Sequence, residues 1–66
     1  MPESLTELAD AVSEVEQRVA DAIFATVRDQ LRDAQNDDAR ELERRLAKVR
    51  RSLQKAEGLL RGYASD

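Results

Sequence analysis

A chain of 66 residues with no cysteine and no histidine forms one small domain, and neither a disulfide framework nor a thiolate metal site can reinforce its thin core. The missing histidine also removes the commonest general base and metal ligand. The net charge of −3 conceals an asymmetry, because residues 1–38 carry three Arg against ten acids whereas residues 39–66 carry eight Arg and Lys against four acids.

The start, MPESLTELAD, has neither the basic opening nor the apolar run of a signal peptide, and no stretch approaches membrane-spanning length, so a cytoplasmic protein is expected. The abundance of Ala, Leu, Glu, Asp and Arg favours long helices over strands. Ser4 followed three residues later by Glu7 fits a capping box, and Glu3, Glu7 and Asp10 suit the positive end of a helix dipole. From there Leu5, Leu8, Val12, Val15, Val19, Ile23, Val27, Leu31 and Ala34 recur at steps of three and four. Their mean step of about 3.6 predicts an amphipathic helix over about 4–35.

Asn36, Asp37 and Asp38 are three consecutive poor helix formers that favour turns and caps. They predict a turn at about 36–38, with Asp37 or Asp38 capping a helix that begins at Ala39. One unbroken helix within a longer coiled coil is the alternative, since AQNDDARE holds neither Gly nor Pro. The second helix, about 39–62, carries Ala39, Leu42, Leu46, Val49, Leu53, Ala56, Leu60 and Tyr63 at alternating steps of three and four, a heptad-like seam. Gly58 and Gly62 weaken its end.

The fold class is therefore all-α: a single antiparallel two-helix hairpin over 1–66, completed by a partner or by dimerisation. Facing residues are expected to have numbers summing to about 74, which sets Leu31 on Leu42 and Val27 on Leu46 and places Val19, Ile23, Val49, Leu53, Leu60 and Tyr63 along the same seam. Glu16 falls within the apolar stripe, where its side chain is expected to reach solvent or Lys55.

The two helices differ in how much apolar surface they carry. The second confines its large apolar groups to roughly 120°, with Leu59 outside, whereas those of the first span roughly 200°. One packed neighbour covers only part of that, so Leu8, Val12, Val15, Ala20, Phe24, Leu31 and Leu59 are the candidate partner-binding residues. Phe24, beside Ile23 in RVADAIFATVRDQL, either marks that free edge or folds over the seam against a cation such as Arg50.

No catalytic, cofactor-binding or metal-binding residues are assigned. Glu3, Glu7, Asp10, Glu14 and Asp21 lie opposite the apolar stripe, a hairpin offers no cleft to perturb them, and no phosphate-binding loop or ligand cluster appears. Arg40, Arg44, Lys48, Arg51 and Lys55 crowd one side of the second helix, a pattern able to track phosphates. The acidic first helix weighs against a nucleic-acid partner.

Two helices joined by a short polar turn, followed by SLQKAEGLLRGYASD, resemble the small helical-hairpin co-chaperones of type III secretion needle subunits. That resemblance implies a cytoplasmic protein that keeps an aggregation-prone needle subunit monomeric together with a second, helical-repeat chaperone. AKVRRSLQKAEGLL is also similar to the second helix of a ribosomal helical-hairpin family. The expectation is a helical adaptor or co-chaperone with a helical protein partner, no membrane and no small-molecule substrate. A self-associating four-helix bundle or coiled coil and a nucleic-acid-binding hairpin are the alternatives.

Overall fold

The computed structural model describes residues 4–64, with side chains as far as Gly62. Ser4 is extended (φ −69°, ψ 159°), and its hydroxyl oxygen accepts the Glu7 N–H at 3.0 Å, which opens α1, Leu5–Arg32. The helix stops three residues before the expected end. Asp33 turns to φ −140°, ψ 95°, and its carboxylate accepts the Gln35 N–H at 3.0 Å, a local bond that competes with helix continuation.

Asn36 then caps α2, Asp37–Ala64, by accepting the Ala39 N–H at 3.0 Å through its side-chain oxygen. The connection therefore lies at 33–36 rather than 36–38, and the cap is Asn36 rather than Asp37 or Asp38. Those two acids occupy the first turn, where negative charge meets the positive end of the helix. Arg40 closes the connection by donating from Nη2 to the Ala34 carbonyl at 3.0 Å. At the other end α2 runs through both glycines to Ala64. Neither has positive φ, so neither acts as a C-cap.

The two 28-residue helices pack antiparallel as a hairpin of 48 × 16 × 15 Å, and no strand occurs among the described residues. The contact follows a period of 3.5. On α1 residues 9, 12, 16, 19, 23, 26 and 30 are all buried or half-buried, and on α2 residues 39, 43, 46, 50, 53, 57 and 60 face them, Arg50 alone being exposed. Steps alternating between three and four are the signature of a coiled-coil seam.

The core of this seam is small. Ala9, Ala20, Ala39 and Thr26 are buried, and no large side chain among the described residues is fully enclosed. Bonds across the hairpin join Gln30 to Glu43, Glu16 to Arg50 and Gln54, and Asp10 to Arg61. These pair numbers total between 66 and 73, so the register centres near 70. The shift from 74 is about one helical turn, and the earlier connection at 33–36 causes it.

Candidate interaction surface

The seam mixes the aliphatic Val12, Val19, Ile23, Leu46, Leu53 and Leu60 with small and polar side chains. Thr26 sits buried and donates from Oγ1 to the Ile23 carbonyl at 2.8 Å, so its hydroxyl costs nothing in lost hydrogen bonding. The Glu16 side chain is only 15% exposed and accepts from Arg50 Nε at 3.0 Å and Gln54 Nε2 at 3.1 Å. It reaches neither open solvent nor Lys55, because the register near 70 brings Arg50 and Gln54 to its level. Arg50, considered for the face of Phe24, is held by Glu16 instead. Every buried side-chain nitrogen or oxygen among the described residues has a partner.

At the open end Arg61 links the helices, donating from Nε to Glu57 at 2.7 Å and from Nη2 to Asp10 at 3.0 Å. The hydrogen bonds it donates, to Glu57 first and Asp10 second, raise the guanidinium pKa above its ordinary value. Asp10 immediately follows the seam residue Ala9, and its bond across to Arg61 identifies one side of the hairpin. With a period of 3.5, residues seven apart share a side. Phe24 and Leu31, which follow the seam residues Ile23 and Gln30, therefore lie on this side of α1. Arg40, Ala47 and Gln54 lie on it along α2. An open depression of about 420 Å³ lined by Gln30, Arg40, Glu43, Arg44, Ala47 and Arg51 occupies the same side.

The opposite side carries the residues that precede seam positions: Leu8, Val15, Ala22 and Asp29 on α1, and Leu42, Val49 and Ala56 on α2. Asp29 is the one charge among these seven. Ala11, Arg18 and Ala25 on α1 and Asp38, Arg45, Ser52 and Leu59 on α2, each also one residue before a seam position, form the outer rim of this side. One side of the hairpin is thus arginine-rich with an exposed aromatic, and the other carries an aliphatic strip that ends at Asp29 and is rimmed by Arg18 and Arg45.

This division sorts the residues singled out by sequence. Phe24 is 68% exposed and Leu31 82%, so neither folds over the seam, and Leu31 does not meet Leu42. Leu8 and Val15 are exposed on the aliphatic side, and Leu59 is 66% exposed beside them. Two of the partner-binding candidates belong elsewhere. Ala20 is 4% exposed, covered by α2, and Val12 is half-buried at a seam position. Both errors come from placing the first helix on a 3.6 wheel when its contact follows 3.5.

Among the seam candidates, Val19, Ile23, Val27, Leu46, Leu53 and Leu60 are half-buried. Leu42 and Val49 are exposed, displaced to the aliphatic flank because Glu43 and Arg50 take the seam positions. The Tyr63 side chain lies outside the described residues. Ala9, Thr26, Gln30 and Glu43 were not anticipated in the seam. Their signal is the unbroken alternation of three and four through 9, 12, 16, 19, 23, 26 and 30, visible only when polar residues are admitted to the pattern.

Among the described residues no helix is long and apolar enough to cross a membrane, and no three His, Cys, Asp or Glu side chains converge as a metal site would require. No family model, curated protein or solved structure matches the chain. The fold itself defines a class: a two-helix antiparallel hairpin with a mixed apolar and polar seam and two chemically unlike sides.

Proposed function

We propose that this protein is a helical interaction module, an adaptor or co-chaperone that binds another protein through an apolar helix edge and carries out no chemistry of its own. The observation that supports this reading is the pair Phe24 and Leu31, the two most exposed large apolar side chains among the described residues, one heptad apart on the same side of α1. Exposed aromatic and aliphatic groups at helical spacing beside arginines suit an amphipathic partner helix with apolar anchors and acidic flanks. The needle-subunit co-chaperone of type III secretion is the narrower form of this reading, and the sequence resemblance alone supports it.

The test immobilises the wild-type chain and Phe24→Asp and compares what each retains from a lysate of the cells that make the protein. The expected result is a defined protein held by the wild type, released by Phe24→Asp and indifferent to nuclease. Equal retention by both baits overturns the reading, and retention that nuclease abolishes points to the basic residues of α2 and a nucleic-acid ligand.

A further inference from the structure

The aliphatic side is unaccounted for by a partner at Phe24 and Leu31, because it faces the other way. We infer that this strip is the dimerisation face of the protein, where a second copy docks with its turn at the same end to complete a four-helix bundle. The inference rests on the interaction-module reading only in leaving the Phe24 side free for the other partner.

Three observations select a second copy and its orientation. The first is size. The hairpin extends 48 × 16 Å in projection, about 770 Å², so contact along the full length of two such sides is bounded at roughly 1,500 Å², which reaches the range of specific, stable interfaces.

The second is charge. α1 holds three Arg against six acids, and α2 holds eight Arg and Lys against five acids, so the helices are oppositely charged by the same amount. A two-fold axis parallel to the long axis sets each α1 against the α2 of the second copy. Acidic and basic helices then alternate around the bundle. Docking with the turns at opposite ends sets α1 on α1 and α2 on α2, like charge on like. Attraction therefore selects the arrangement with both turns together.

The third is shape. In that arrangement a residue of α1 meets the residue of the second copy's α2 at its own level, where numbers total about 70. Val15 then lies over Ala56, Ala22 over Val49, and Ala11 over Leu59, a large side chain against a small one each time. Arg32 comes level with Asp38, an opposite pair at the rim. Asp29, the one charge on the strip, comes level with Leu42 of the second copy, about one helical turn from that copy's Arg45. A hairpin whose buried core, among the described residues, is three alanines and a threonine gains in this way an interior of leucine and valine.

Sedimentation velocity on the full chain from low to high micromolar concentration tests the mass, and a spin label tests the orientation. The chain has no native cysteine, so Gln35→Cys places one label in each turn. The expected species has twice the 7.4 kDa chain mass, with a label separation below half the 48 Å length of the hairpin. Val15→Asp is expected to weaken the dimer by at least about 100-fold. Phe24→Asp, on the other side, is expected to leave the mass unchanged. A monomer at every concentration overturns the inference, as does a label separation near the full length. Loss of the dimer on Phe24→Asp, with helicity retained, overturns the assignment of faces. The label measurement uses an otherwise native surface, so it decides the matter even where Val15→Asp fails to fold.

Discussion

Glu16 is the position where replacing a charge is expected to strengthen the fold. Its side chain is 85% withdrawn from water at a seam site otherwise suited to an aliphatic group. Fully burying a leucine contributes about 1.5–3 kcal/mol, so Glu16→Leu gains roughly 1.3–2.5 kcal/mol by burial. Against this stand the bonds to Arg50 and Gln54. The Arg50 side chain is 44% exposed and returns to water when Glu16 is removed, so no charge is stranded, and the lost pair costs no more than about 1 kcal/mol. With the full cost of the pair subtracted, the balance is a gain of about 0.3–1.5 kcal/mol for Glu16→Leu. Glu16→Ala loses the pair and fills nothing, a loss of about 0.5–1 kcal/mol. Urea unfolding followed by far-ultraviolet circular dichroism, at one fixed protein concentration, measures both. A Glu16→Leu protein less stable than wild type would refute the reasoning, because the pair would then outweigh the aliphatic burial.

Ala20→Leu tests the corrected seam. Three extra carbons at a site covered by α2 are expected to cost about 1–3 kcal/mol by forcing the helices apart, and an unchanged midpoint would return Ala20 to the free surface. Asn36→Ala is expected to lose about 1 kcal/mol with the α2 cap, and Asp38→Ala only a few tenths; the reverse ranking would move the cap back to the acids. Gly58→Ala is expected to stabilise by roughly 0.5–1 kcal/mol, since the site is helical and a Cβ there meets nothing within 4 Å. A loss on that substitution would mean that something docks closely over Gly58.

The hairpin, its capping serine and the opposed charges of its helices are legible in the sequence because each rests on local signals of a few residues. The break between helices was read from Asn36, Asp37 and Asp38, yet the bond that ends α1 is made by Asp33, an isolated acid with no distinguishing neighbours. One short side chain choosing between backbone groups decides a helix end, and composition carries no trace of that choice. The seam was displaced for a different reason. Leu8, Val15 and Leu31 belong to a strong apolar period, so weight by hydrophobicity draws the wheel toward them. Ala9, Ala20 and Ala39 are buried between the helices, and Glu16, Gln30, Glu43 and Thr26 sit at seam positions, each with a hydrogen-bonding partner.

The division of the seam also explains why the apolar surplus splits in two. Val12, Val19, Ile23, Leu46, Leu53 and Leu60 share the seam positions with the polar Glu16, Gln30, Glu43, Arg50 and Glu57. The remaining large apolar groups fall at positions flanking the seam, where the neighbouring helix covers only part of each. The flank before the seam received Leu8, Val15, Leu42 and Val49, and the side beyond it received Phe24 and Leu31 with the arginines. On a helical wheel these merge into one arc of roughly 200°. On the folded hairpin a charge placed at Val15 and a charge placed at Phe24 act on opposite sides. Two separable binding losses are therefore expected from these substitutions, with little effect of either on the other.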